Sequence, residues 1–105
     1  MMPWLPIKYR EYYDLPRAFV VEHRHALYFF DSRFDAGTDE YSDHFDVYRL
    51  PIEVANTLDQ MSWEHLDLMG EVVGRVPTTA VHLDPSKRQL VDDGVFALLR
   101  LSESN

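Results

Sequence analysis

Two apolar runs flank an acidic segment, and this pattern dominates the first half of the chain. The first run, residues 18–30, is rich in the β-branched and aromatic side chains that favour strands. The second run, residues 44–50, alternates between apolar and polar positions, as a strand with one buried face does. The segment between them, residues 35–43, contains Asp35, Asp39, Glu40 and Asp43. The pattern predicts a β-hairpin whose arms lie in the core and whose charged tip reaches into solvent.

The first run contains a polar interruption, residues 22–25, that has two interpretations. It could be a hairpin turn, but it lacks the glycine, asparagine or aspartate that tight hairpin turns prefer. We therefore predict a single long, bent strand from Ala18 to Phe30 that crosses the rim of the sheet at these polar residues. The uninterrupted apolar stretch 27–30 indicates that both faces of the strand are covered there.

The position of the tip turn sets the pairing of the two arms. Residues 36–39, Ala-Gly-Thr-Asp, have turn chemistry. A turn centred on the second and third of these residues would place Phe45 opposite Phe30. The same register places His44 opposite Asp31, where the two would form an ordinary cross-strand pair.

Segments outside this hairpin are shorter and less uniform. Near the start of the chain, Ile7 and Tyr9 fit an edge strand. After Pro51, apolar residues recur at every third position, which predicts a short helix over residues 52–60. Residues 62–69 fit either a turn of helix or a strand, and the pattern does not decide between them.

The last third of the chain again has a strand-like pattern. Residues 71–76 form one predicted strand, and Gly74 within it is typical of a bulge or bend. Three further short strands are predicted, at 79–83, 89–91 and 95–101. Turns at 84–87 and 92–94 would join them. A helix over residues 84–94 is the competing interpretation, but few apolar residues would support it.

Short strands separated by turn residues about every eight to twelve positions are typical of antiparallel β proteins. We predict a mainly β fold, a small antiparallel barrel or roll with one short helix, with an α+β fold as the alternative. A chain of 105 residues is about the size of one domain. No linker or repeat divides the sequence, so we predict a single domain spanning residues 1–105.

Ten basic and eighteen acidic residues give the chain a formal net charge of −8. Nucleic acids and anionic membranes require a basic face, so neither is an expected partner. There is no cysteine, which excludes disulfides and thiolate ligands and favours a reducing compartment. No apolar run is long enough to span a bilayer. We expect no signal peptide and a cytoplasmic location.

Histidines are the first candidates for chemistry. His23 and His25 would point to one face of a strand, as would His44 and Asp46, and both residue types bind metals. The predicted register separates the two pairs by about six residues, or ~20 Å at the rise of a strand. We therefore assign no metal site and no cofactor.

No catalytic residue is assigned either. None of the serines lies in the strand-turn-helix elbow of a nucleophile. Gly70 and Gly74 lack the lysine and hydroxyl residue that complete a phosphate-binding loop. The adjacent Asp92 and Asp93 would point in opposite directions in a strand, whereas acid–base catalysis needs converging carboxylates. An enzyme is therefore less favoured than a binding protein.

The acidic tip is the most unusual surface that the sequence predicts. It does not match the spacing of a calcium-binding loop, and a solvated, self-repelling loop is its simplest interpretation. Its carboxylates are interleaved with aromatic residues, which are frequent anchors of protein interfaces. We predict a non-enzymatic interaction domain that binds an unidentified protein with a basic surface. The predicted contact residues are Phe34, Asp35, Asp39, Glu40, Tyr41 and Asp43.

The rival hypothesis places the site elsewhere. It is a small-ligand or metal-binding β domain, with enzymatic activity as a further option, that uses His23, Arg24 and His25 at the mouth of a barrel.

Overall fold

Six strands form one antiparallel sheet, and two short strands form a separate hairpin, in a computed structural model that describes residues 4–12, 15–84 and 90–99. The sheet contains β1 (Trp4–Tyr12), β2 (Pro16–His23), β3 (Ala26–Asp31), β6 (His44–Leu50), β7 (Glu71–Pro77) and β8 (Leu90–Asp92). The hairpin consists of β4 (Phe34–Asp35) and β5 (Glu40–Tyr41). The order in the sheet is β7-β6-β3-β2-β1-β8. The predicted mainly β fold is confirmed, and the sheet does not close into a barrel.

The connections contain short 3-10 helices. Within the described ranges they are Ile52–Asn56, Leu66–Met69, Thr78–Ala80 and Asp93–Leu98. The first covers the start of the helix predicted for 52–60, and the second shows that the ambiguous segment 62–69 contains a helical turn. The longest has six residues, and no helix in the described residues has the length and apolarity needed to cross a membrane.

The end of the described chain differs most from prediction. The strand predicted at 79–83 is a 3-10 helix followed by a single bridge from Leu83 to Val91. The strand at 89–91 is confirmed as β8 where it is described, so a helix across 84–94 is wrong. Residues 85–87 of the predicted turn and residue 89 of that strand lie outside the described residues. The final strand, predicted at 95–101, is wrong over residues 95–98, because the Asp92 side chain accepts a hydrogen bond from the Gly94 amide at 3.0 Å and begins a 3-10 helix instead of a hairpin turn. Residues 100–101 of that prediction lie outside the described residues.

The predicted single strand from Ala18 to Phe30 is also wrong. β2 and β3 are antiparallel neighbours, paired from Ala18 with Asp31 to His23 with Ala26. Arg24 and His25 form the turn between them, with φ of 51° and 65°. Positive φ at both positions defines the turn type that best fits the twist of a hairpin. The turn escaped prediction because arginine and histidine occupy positions where asparagine and glycine are the usual signal.

Replacing His25 with glycine should stabilise the protein. The left-handed backbone costs a residue with a Cβ about 1–2 kcal/mol, and the greater freedom of glycine in the unfolded chain offsets part of that gain. We expect the free energy of unfolding in urea to rise by about 0.5–1 kcal/mol. His82→Gly, at an exposed position without positive φ, is the control and should lower it. A loss of stability in His25→Gly would contradict the turn geometry.

Residues 27–30 and 45–48 are adjacent arms, as predicted, but their register differs by two residues. Phe30 pairs with Val47, whereas the sequence paired it with Phe45. The reason is that the two connections between the sheet and the small hairpin differ in length. Residues 32–33 connect one side and residues 42–45 connect the other. A slip of two residues keeps each side chain on its predicted face, so Phe45 still enters the core.

Each face of the sheet is covered by its own apolar cluster. One cluster joins sheet residues to the last 3-10 helix and includes Phe19, Tyr28, Phe30, Phe45, Val47, Phe96 and Leu99. The other joins the opposite face to the connection after β6 and includes Val20, Leu27, Phe29, Leu50, Val54, Leu58 and Leu66. Burial on both faces explains why residues 27–30 are apolar without alternation, as predicted.

β7 forms one end of the sheet and contains the predicted irregularity. Its pairing with β6 passes from Val47–Gly74 to Tyr48–Val72, which leaves Val73 as the extra residue of a bulge. A Cβ on Gly74 would lie 2.6 Å from Cδ2 of Leu99, so a larger residue there would require the Leu99 side chain to shift. β1, predicted as an edge strand, lies between β2 and β8.

Candidate functional site

The β4–β5 hairpin extends beyond the ends of β3 and β6 as an exposed tip. Residues 33–40 are all exposed. The turn spans residues 36–39 and is centred where the sequence predicted it. It is held by a 2.8 Å hydrogen bond from the Gly37 amide to Oδ1 of Asp35. Asp39 adopts a φ of 57°, a left-handed conformation that aspartate tolerates better than most residues.

Two of the predicted contact residues form an aromatic pair on this tip. Phe34 and Tyr41 are opposite one another in the hairpin, with ring centroids 5.1 Å apart in an edge-to-face arrangement. The Phe34 side chain remains 50% exposed. The guanidinium carbon of Arg17 lies 5.0 Å from the centre of the Tyr41 ring, so Tyr41 packs toward the sheet while Phe34 faces solvent.

A buried polar network fixes the base of the tip. Arg17 is only 9% exposed, and its Nη1 donates to Oγ of Ser32 and to the carbonyl oxygen of Ser42, both at 3.1 Å. Oγ of Ser32 also donates to the Ser42 carbonyl at 2.8 Å. The network joins β2 to the two segments that lead into and out of the tip. No local pattern predicts this network, because its members are 10 to 25 residues apart.

Four of the six predicted contact residues line one depression. Its volume is about 540 Å³, and it is lined by Arg17, Phe34, Asp39, Glu40 and Tyr41. The other two predicted residues do not line it. Asp35 accepts the hydrogen bond of the turn, and Asp43 is hydrogen-bonded to His44. The depression combines two carboxylates, two aromatic rings and the Arg17 guanidinium, which lies over the Tyr41 ring. The two carboxylates and the Phe34 ring are the groups that suit a cationic side chain of a partner.

His44 does not pair with Asp31, so that prediction is wrong. Its Nδ1 lies 2.6 Å from Oδ1 of the neighbouring Asp43. Asp31 pairs with Asp46 in the ladder and accepts a hydrogen bond from Nε of Arg33 at 3.1 Å. The hydrogen bond from His44, and then its charge, lower the pKa of the Asp43 carboxyl.

The Asp43 carboxyl should therefore titrate below the usual range of aspartate. Because its folded pKa is lowered, the pair stabilises the fold above the unfolded pKa of about 3.9, and this contribution is lost as the pH falls through the folded pKa. Carbon NMR of the side chain measures the midpoint. In His44→Ala the midpoint should rise toward the ordinary value, while His82→Ala should leave it unchanged. An unaltered Asp43 midpoint in His44→Ala would contradict the pairing.

The rival site is not assembled around a barrel mouth. His23 stacks on Phe96 with ring centroids 4.1 Å apart and planes 2° from parallel. Arg24 and His25 are exposed in the β2–β3 turn. Within residues 4–12, 15–84 and 90–99, no group of three or more histidine, aspartate or glutamate side chains is placed to hold a metal ion.

A second concave region was not predicted. It lies on the face of the sheet opposite to Phe96. We call it the Trp63 cleft; its volume is about 730 Å³, with Ala18 and Phe29 among its lining residues and residues 61–65 and 67–68 along one side. Trp63 is held by a 3.0 Å hydrogen bond from Nε1 to the Leu58 carbonyl. Its only signal in the sequence was a tryptophan in the ambiguous segment 62–69.

Two arginines border the Trp63 cleft, and each is engaged. The guanidinium of Arg10 lies 4.9 Å from the centre of the Trp63 ring and donates to the Leu58 carbonyl at 2.7 Å. Arg33 bridges Asp31 and Asp67, at 3.1 and 2.8 Å. Partial burial works to lower the pKa of the Arg33 guanidinium, but the hydrogen bond and charge of Asp31 outweigh it, so the pKa lies above its ordinary value.

Comparisons with protein family models, curated proteins and solved structures found no match for this chain. Its function is therefore inferred from the two concave surfaces themselves.

Proposed function

We propose that this chain is a non-enzymatic interaction domain that binds a protein with a basic surface through its acidic tip. The observation that supports this most directly is the half-exposed Phe34 ring at the edge of a depression that also contains Asp39 and Glu40. Exposed aromatic residues beside charges are typical anchors of protein interfaces. A net charge of −8 would also attract a basic partner over distance.

The tip is also built to bind at low entropic cost. The Arg17 network and the hydrogen bond within the turn hold the hairpin in one arrangement. A rigid surface loses less conformational freedom on association than a mobile loop does. A lysine or arginine of the partner would contact the carboxylates of Asp39 and Glu40 and the exposed Phe34 ring.

The first experiment compares two triple variants of equal charge. The tip variant is Asp39→Ser, Glu40→Ser and Asp43→Ser; the control is Glu22→Ser, Glu53→Ser and Glu64→Ser, all exposed and outside the tip. Immobilised chains capture partners from the native lysate, and mass spectrometry identifies them. A partner retained by the wild type and the control should be lost from the tip variant, while the melting temperature stays within about 2 °C. Equal capture by all three chains would contradict the proposal.

Phe34→Ala separates the aromatic anchor from the charges. Once a partner has been captured, we expect this variant to weaken its binding at least tenfold, as the loss of a hot-spot residue does. The charge variant should act mainly on the association rate and its dependence on salt. Binding by Phe34→Ala with wild-type affinity would remove the ring from the interface.

A further inference from the structure

The Trp63 cleft has the size of a small-molecule site. Its volume of about 730 Å³ lies within the range of roughly 300–1,000 Å³ that such sites occupy. Phe29 and Ala18 are buried in the sheet face at its base. A small side chain at position 18 leaves the hollow open.

The charges around the cleft argue against a strongly charged ligand. Arg33 is neutralised by Asp31 and Asp67. With Arg10 and Glu64 included, the lining carboxylates exceed the guanidinium groups by one. A phosphate would have to break these ion pairs and meet carboxylates, which costs more than it returns. A multivalent cation is not favoured either, because no group of three or more acidic or histidine side chains within the described residues is placed to hold a metal ion.

The polar character of the lining argues equally against a purely apolar ligand. Seven of the twelve lining residues are charged or polar. Arg33 contacts one oxygen of Asp67, and a carboxylate can accept about four hydrogen bonds, so acceptor capacity remains. Carboxylate and guanidinium groups are planar and each offers two hydrogen-bonding atoms side by side. They therefore suit a ligand with hydroxyls on adjacent carbons, because a hydroxyl can both donate and accept.

The aromatic side of the cleft supplies the complementary apolar contact. Trp63 is oriented by its bond to the Leu58 carbonyl, by the Arg10 guanidinium, and by Phe29, whose ring is perpendicular to it at 6.1 Å. The ring is partly exposed and lines the cleft, so its uncovered part offers an apolar contact without further ordering. The lining thus combines hydrogen-bonding groups and an aromatic surface with little net charge.

We propose that the Trp63 cleft binds a neutral, hydroxyl-rich ring compound, a monosaccharide or disaccharide. The hydroxyls contact the carboxylate and guanidinium groups of the cleft, and the C–H face of the ring contacts Trp63. This site lies apart from the acidic tip, and its function does not depend on the interaction proposed there.

Amide NMR of the whole chain tests the proposal with glucose, galactose, N-acetylglucosamine and cellobiose as probes. At least one probe should cause saturable shifts at the indole N–H of Trp63 and the amides of Ala18 and Phe29, with a midpoint on the order of 1–10 mM. In Trp4→Phe, fluorescence then reports on Trp63 alone. Absence of saturable shifts with all four probes, or shifts confined to other residues, would overturn the proposal.

A variant that fills the cleft provides the second measurement. Ala18→Leu should weaken binding of the same probe at least tenfold, while Ala97→Leu, at an exposed position, should leave it unchanged. Wild-type affinity in a folded Ala18→Leu chain would overturn the assignment, and the NMR mapping decides if that variant does not fold. Glucose 6-phosphate should bind no more tightly than glucose; tighter binding would identify an anion site instead.

Discussion

Replacing Phe30 with alanine should lower the free energy of unfolding by about 3–5 kcal/mol. The Phe30 side chain has no exposed surface. Its ring stacks on Phe19 at 4.7 Å and meets Phe45 and Phe96 edge-on, each at 5.9 Å. The cavity left by alanine would remove contacts to all three, because the sheet backbone cannot collapse around it. Urea denaturation should give a lower midpoint with an unchanged slope.

Phe34→Ala is the matched control, four positions along the same chain. Half of that side chain is already in water, so its truncation should change the free energy of unfolding by no more than roughly 0.5 kcal/mol. Similar losses in the two variants would mean that the arms of the hairpin do not form the core. A loss of less than about 1 kcal/mol in Phe30→Ala would lead to the same conclusion.

Replacing Arg17 with methionine should cost about 1–3 kcal/mol and release the tip from the sheet. Methionine keeps much of the apolar stem but cannot donate to Oγ of Ser32 or to the Ser42 carbonyl, and the loss of hydrogen bonds from a charged donor costs free energy in that range. Amide hydrogen exchange across β4 and β5 should accelerate more than exchange in β3 and β6. The measurement therefore distinguishes a local loosening of the tip from global destabilisation.

Arg49→Met provides the comparison, because Arg49 is an exposed arginine on β6 of the same sheet. It should leave both the free energy of unfolding and the exchange rates of the tip nearly unchanged. If Arg17→Met matches this control, the buried network does not determine the position of the tip. The low entropic cost of binding that we attribute to the tip would then lose its basis.

Alternating and continuous apolar patterns were enough to pair the second arm of the hairpin with residues 27–30. They gave the correct faces even where the register was wrong, because side chains in a strand repeat every two residues. They failed at Arg24 and His25, whose positive φ values contradict local preference and are imposed by the pairing of β2 with β3. They failed again at Asp92, where the same residue type favours a turn or a helix start.

The candidate sites differ in how far the sequence could indicate them. Phe34, Asp39, Glu40 and Tyr41 are close together along the chain, and a short hairpin necessarily brings them together. Arg17 reaches the tip from an earlier strand, so no local pattern could indicate its role. The Trp63 cleft draws its lining from several segments of the chain, and only the folded arrangement shows that they meet.

The extra residue at Val73 has a consequence for how copies of this chain behave beside one another. A sheet that ends in a straight, regular strand is a template for further strands, and this is how cross-β aggregates begin. At the β7 end the extra residue kinks the strand, and Pro77 lacks an amide proton to donate. Fibrillar growth from that end is therefore opposed by the backbone itself, independently of the repulsion between acidic chains.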